Sequence, residues 1–321
     1  MAGSNGGILG AALEEFQRLG DFTTRPRVLL IAAIAVLVGT AGTIAGWILL
    51  DLIRLFTGLA YFGRPTLQHL LLGTSPLGAA AVAVPVVGGL IVGLMARYGT
   101  DKIRGHGIPE AIEAILLGRS RLDLKVALLK PLSSAISIGT GGPFGAEGPI
   151  IATGGALGSL VGQWLHVSAV ERKTLLAAGA AAGMAATFGS PVSAVLLAVE
   201  LLLFEFRPRS IIPVALASVT AAGVRYATLG AAPIFAMPDL AQPGGEALAF
   251  YVMLGALLGL AAVGVTRLVY GIEDAFRRLP VHWMWWPALG GLAVGVIGYF
   301  APHTLGVGYD NIQHIVSGQL A

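Results

Sequence analysis

The chain contains no cysteine. Disulfides, thiolate metal sites and cysteine nucleophiles are excluded on that ground, and the redox compartment is left open. Charge is scarce too. Asp, Glu, Lys and Arg make up 12% of the 321 residues, about half of the ~25% of a soluble domain. In place of charge the chain has apolar length: hydrophobic residues reach 55% and mean hydropathy is +0.81. The runs Val28–Leu50, Leu77–Met95 and Leu248–Val265 are close to the ~20 residues that cross a bilayer. So many uncharged runs offer no polar face to water, which argues against a large soluble protein. The first run begins too late and lasts too long for a cleaved signal peptide. The reading is an all-α, polytopic integral membrane protein.

The formal net charge of +3 says less than its placement. Arg97, Lys102, Arg104, Arg119, Arg121, Lys125 and Lys130 crowd one interhelical stretch, and Arg25 and Arg27 precede the first long run. By the positive-inside rule these regions face the cytoplasm, and the N-terminus with them. A nucleic-acid patch would lack the apolar flanks, so no nucleic-acid partner is expected.

Residues 1–26 read as an amphipathic cytoplasmic helix, with Leu9, Leu13, Phe16 and Leu19 at helical spacing. Long spans are expected over 27–58 and 77–98, with Asp51 and Arg54 as a surface pair. Beyond Arg97 the apolar segments shorten and are broken by glycine and proline: 108–117, 124–138, 148–165, 170–188, 191–204 and 211–228. Broken helices at membrane depth are the usual sequence pointer to a transport site. A Pro- and Gly-rich loop, 230–246, leads to further spans at 247–276 and 285–301. An internal repeat aligns Pro85–Gly93 with Pro287–Gly295, and then Gly105-His-Gly107 with Gly306-Val-Gly308. The repeat alone does not say whether the copies are parallel or inverted. It divides the chain into a first membrane repeat, 27–229, and the start of a second, 247–321. The counterpart of 120–228 is missing, so the chain is expected to be cut in mid-repeat.

Two motifs carry chemistry. Gly105-His-Gly-Ile-Pro-Glu110 opens a short helix, and proline suits a first helical turn because its missing N–H costs nothing there. A helix N-terminus inside a membrane is an anion site without net charge. Gly139-Thr-Gly-Gly-Pro-Phe-Gly-Ala-Glu-Gly-Pro-Ile150 opens a second helix with Glu147 at its start. It lacks the Lys-Ser/Thr of a phosphate-binding loop, and no strand precedes it. A carboxylate in an apolar setting is costly and functional by default. At a helix N-terminus it competes with an anion for the same end, and so it can gate.

The pair resembles the signature of the CLC family of chloride channels and chloride/proton exchangers. The family's Gly-Ser-Gly-Ile-Pro stands here as Gly105-His106-Gly107-Ile108-Pro109. Its Gly-Arg/Lys-Glu-Gly-Pro stands as Gly145-Ala146-Glu147-Gly148-Pro149. Lys130 matches a usual family lysine, and Ala185–Pro191 with Leu196–Glu200 resembles the next segment. The resemblance implies an inverted-repeat fold with short broken helices, a homodimer with one pore per subunit, and chloride as transported ion with no cofactor and no metal. It implies Glu147 as the gating carboxylate. It places the anion along Gly105 to Pro109 and along Gly145, Ala146, Gly148, Pro149 and Ile150. Lys130 and Glu200 follow as electrostatic or structural groups, Glu200 bonded to backbone or a neighbouring helix.

Three departures from the pattern matter. His106 replaces a serine, Ala146 a cation, and Leu201 the glutamate of proton-coupled members, leaving Glu205 as a possible proton-path residue. Leu201 favours a voltage-gated-type channel over a chloride/proton antiporter. A non-conducting fragment is the third reading, and the motifs do not choose among chloride, fluoride and nitrate. An intramembrane enzyme would need a pair such as Ser159 and His166, which no nucleophile elbow surrounds, so no enzyme activity is expected.

Overall fold

The computed structural model describes residues 26–230, 232–239 and 242–319, which form helices and loops with no strand among them. The expected amphipathic helix at 1–26 lies, apart from Pro26, outside the described residues. Eleven α-helices follow in the described chain: α1 Arg27–Phe62, α2 Ala83–Tyr98, α3 Ile108–Leu116, α4 Leu124–Gly139, α5 Glu147–Trp164, α6 Ala169–Phe188, α7 Pro191–Ala198, α8 Pro208–Leu229, α9 Gly245–Arg277, α10 Trp286–Phe300 and α11 Tyr309–Val316. Among the described residues five stretches are long and apolar enough to cross a membrane, including all of α1, α8 and α9.

Local chemistry sets the ends. Proline occupies the first turn of α3, α7, α8 and α10, where no intrahelical donor is needed. The N-terminus of α6 is closed reciprocally: the Glu171 amide donates to Ser168 Oγ at 3.3 Å, and the Ser168 amide donates to Glu171 Oε2 at 2.9 Å. The helix α1 runs past the expected stop near 58 to Phe62, where Gly63 supplies a left-handed cap. Asp51 and Arg54 do pair on its surface, at 2.9 Å. The expected single helix 191–204 is two pieces. After α7 the chain widens into a π-helical turn, Val199–Leu203, closed by the Phe204 amide bonding Val199 O at 3.1 Å.

The core lies where α6 is wrapped by α1, α5, α7 and α8. The α5–α6 contact is glycine on glycine. A β-carbon on Gly154 would overlap the Gly179 carbonyl, one on Gly179 would overlap the Gly154 carbonyl, and one on Gly158 would overlap that of Leu175. Such backbone contact is how helices associate where lipid removes the hydrophobic drive. Gly179→Val is therefore expected to cost about 3 kcal/mol, read as a lowered unfolding midpoint in detergent. An unchanged midpoint would mean that the two helices can part at no cost.

The two copies of the repeat meet face to face. A β-carbon on Gly89 would strike the backbone of Pro287, and one on Gly291 would strike that of Pro85. Gly93 approaches Met284 in the same way, and Gly295 approaches Val82. These contacts are symmetric under the alignment of 85 with 287, so α2 and α10 cross antiparallel about a local twofold axis. The repeat is inverted.

Basic residues gather at one end of the bundle. Arg172 Nη2 donates to Arg119 O at 2.7 Å, Lys173 Nζ donates to Leu203 O at 3.0 Å, and Arg27 pairs with Glu171. At the other end Tyr61 Oη donates to Thr140 O at 3.1 Å, and Tyr226 Oη donates to Gly189 O at 2.8 Å. α5 starts and α6 stops on this side of the bundle, so Glu147 and Phe188 lie toward it and away from the basic end.

Candidate functional site

Three helix N-termini converge on one region. At α3, Gly107 has φ +113°, a backbone conformation open to glycine, and a β-carbon on it would lie 2.6 Å from Gly148 O. The Gly107 amide donates to Glu110 Oε2 at 2.6 Å, and Ala111 N is bonded to Gly107 O. Pro109 has no N–H, so Ile108 and Glu110 are left with amides that have no intrahelical partner. The same count at α5, where Ile150 N bonds Ala146 O, leaves those of Glu147 and Gly148. At α11, where Ile312 N bonds Gly308 O, it leaves those of Tyr309, Asp310 and Asn311.

Lys130 organises the approach to α3. It is 2% exposed, and its Nζ donates to the carbonyls of Ile103 (3.0 Å), Arg104 (3.2 Å) and Gly105 (2.7 Å), with Glu110 Oε1 at 3.8 Å. Those carbonyls are thereby held on the ammonium rather than facing an anion. His106 continues the turn, with its imidazole against Gly148: a β-carbon there would lie 2.7 Å from both Cε1 and Nδ1. Gly105, His106, Gly145 and Pro149 line a cavity of about 580 Å³, together with Ser134, Ser137 and the unpartnered, buried indole N–H of Trp286. Ala146 and Ile150 are buried behind it.

Glu147 is half-buried at the start of α5 and folds back over Gly145, where a β-carbon would overlap its Oε2. Its Oε1 lies 3.5 Å from the hydroxyl of Tyr309. The Tyr309 ring stands edge-on to Phe188 (6.3 Å) and Phe235 (6.0 Å). Tyr309 was not among the expected site residues. The repeat carried a signal for it, since Gly308 aligns with Gly107 and puts Tyr309 at a helix start.

Two expected residues lie elsewhere. Glu200 does not bond backbone or a neighbouring helix: it is exposed, with no hydrogen bond or ion pair among the described residues. The π-helical turn directs Leu202 and Leu203 into the core and leaves Glu200 outside it. Glu205 is clamped at the basic end. Burial pushes its carboxyl up, but the Ser210 hydroxyl at 2.6 Å, with Lys173, Arg209 and Arg207 at 3.5–3.6 Å, holds it below the ordinary carboxylate range. A carboxylate so held stays ionised. Ser159 is no nucleophile either, since its hydroxyl donates to Ser120 O at 2.6 Å and accepts from Leu122 N and Gln163 Nε2.

A family model described as voltage gated chloride channel matches residues 87–321. A putative chloride channel protein, ClcB-like, of Ralstonia nicotianae is 30% identical over 238 residues, which is 73% of this chain and 56% of that protein. The H(+)/Cl(-) exchange transporter ClcA of Vibrio campbellii is 29% identical over 320 residues, 96% of this chain and 66% of that one. Among solved structures, a slow cyanobacterial Cl-/H+ antiporter superposes with TM-score 0.74 at 23% identity, over 93% of this chain and 70% of that one. The chain thus spans little more than half the length of the Ralstonia protein.

Proposed function

Since the chain belongs to the voltage gated chloride channel family, we propose that it carries chloride or a related small anion across a membrane, with Glu147 as the gate. One observation carries this reading: the turns that open α3 and α5 line one cavity through Gly105, His106, Gly145 and Pro149, and the Glu147 carboxylate folds over Gly145 on its wall. An anion there meets amides of two helix ends and no net charge. Glu147, on the same helix end, displaces it when ionised and admits it when protonated or swung aside. In this reading residues 27–229 form the first membrane repeat, 230–246 the connection and 247–321 the start of the second. The basic end faces the cytoplasm. The unpartnered apolar faces of α7 and α8, with Val192, Leu196, Ile212, Leu216 and Val219 exposed, suit a second copy in a homodimer.

Channel-type conduction is the first form of this reading. Leu201 packs against the core and Glu205 is clamped, so neither serves as an inner proton station. Proton-coupled exchange is the second, supported by the Vibrio relative's name and by one observation, the unpartnered carboxylate of Glu200. Vesicles holding the protein and a chloride gradient, with a pH electrode outside, test both. Chloride movement without sustained uphill protons is expected. Proton uptake abolished by Glu200→Gln would establish exchange, and absence of any anion flux would overturn the transport reading for this chain.

Tyr309→Phe removes the hydroxyl that faces Glu147. Flux at a fixed neutral external pH should rise, by less than about tenfold given the long contact of 3.5 Å. Unchanged flux would show that the hydroxyl does not act on the gate.

A further inference from the structure

We propose that a second cavity, of about 420 Å³ at the outer ends of α6 and α8, is a loading site for a small monovalent anion, with Arg225 as its cation. The proposal rests on Glu147 being the gate, one step further in.

Arg225 is the unexplained charge of this end. Its Nε is buried without a hydrogen-bond partner, and its Nη1 makes one long bond, 3.4 Å, to Ala186 O. No carboxylate pairs with it among the described residues. An arginine stays charged at any relevant pH, and this one is half-buried with no counter-charge beside it among the described residues. Helix capping accounts for one donor only, the Nη1 on Ala186 O in the last turn of α6. The carboxyl end of α6 is already closed by the Gly189 amide on Ala185 O at 2.8 Å, and the Tyr226 hydroxyl takes Gly189 O at 2.8 Å. Arg225 lines a cavity whose other walls include Phe188, Gly189, Tyr226, Pro233 and Phe235. One cation among mainly apolar walls suits a halide or nitrate, whereas phosphate or sulfate calls for more donors.

The cavity adjoins the gate. Phe188 and Phe235 both line it, and both rings stand edge-on to Tyr309, whose hydroxyl faces Glu147. The rings of Phe188 and Phe235, and behind them that of Tyr309, separate an anion on Arg225 from the carboxylate it must displace. An anion held there raises the local concentration at a closed gate, as a charged, low-dielectric cleft does for its substrate.

Crystals of the whole chain grown in bromide decide the matter by anomalous scattering. Bromide is expected beside the Arg225 guanidinium and, separately, in the cavity lined by Gly105, His106, Gly145 and Pro149. Bromide at the second place and none at the first overturns the loading site and leaves the gate reading intact. Bromide at neither overturns both. In flux assays Arg225→Gln should raise the external chloride needed for half-maximal rate by about tenfold, the loss of one charge-assisted hydrogen bond, and Arg225→Lys should restore most of it. A lowered melting temperature with unchanged chloride dependence would make Arg225 a helix cap only and overturn the proposal. If Arg225→Gln does not fold, the wild-type bromide map still decides.

Discussion

Glu147→Gln is expected to give anion flux that no longer responds to external pH and that is about tenfold higher at neutral pH. The size follows from the helix end. A carboxylate at a partly buried helix N-terminus gains up to about 2 kcal/mol from the dipole and free amides, and each 1.4 kcal/mol is a factor of ten in occupancy. Glutamine keeps the length and the backbone, so α5 and its unpartnered amides remain. It loses the charge that competes with the anion and the group that titrates. Vesicle efflux recorded across a range of external pH makes the check. A variant whose flux still climbs as the outside is acidified would place the titrating gate elsewhere, and the exposed carboxylate of Glu200 would be the next to examine.

Lys130→Met is expected to abolish flux and to lower stability by about 1–3 kcal/mol, the range for leaving buried acceptors without their donor. Methionine fits the volume but donates nothing. The carbonyls of Ile103, Arg104 and Gly105 then lose their donor, and Glu110 loses its nearest cation. Freed, those carbonyls turn toward the cavity and oppose the anion that the α3 amides attract. Adding Glu110→Gln should not rescue the variant, since the carbonyls still lack donors. Thermal unfolding in detergent and chloride efflux give the two readouts. Wild-type values in both would show that the 103–107 turn holds its shape without the ammonium.

Much of the site could be read along the chain because it is local. Glycine and proline around 105–109 and 145–149 announce helix starts by backbone rules, and Glu147 lies within its own motif. The repeat, too, was visible as Pro85–Gly93 against Pro287–Gly295. Its inversion came only from the family resemblance and not from the repeat itself, because direction emerges only when α2 and α10 touch. Tyr309 escaped for a related reason: it is 162 residues from Glu147 in sequence and reaches it only because α11 turns its start inward. Glu205 was half-legible. Arg207 and Arg209 stand beside it in sequence, but Lys173 comes from the start of α6. Glu200 misled because a carboxylate amid leucines reads as buried and bonded, and a single π-helical turn changes which side chains face the core.

The antiparallel crossing of α2 and α10 has an electrical consequence. It sends α3 and α11 in from opposite faces, with Leu116 toward the basic end, Gln313 bonded to Ala236 at the other, and both helix starts near Glu147. In the proposed reading an anion held between those starts lies between the two ends of the bundle, and we take it to have crossed about half of the transmembrane potential. A full crossing is worth about 2.3 kcal/mol per charge per 100 mV, so half is worth about 1.2 kcal/mol. Occupancy of the site would then change roughly sevenfold for each 100 mV. The duplicated architecture would make the bound ion itself a voltage sensor, without any charged helix having to move.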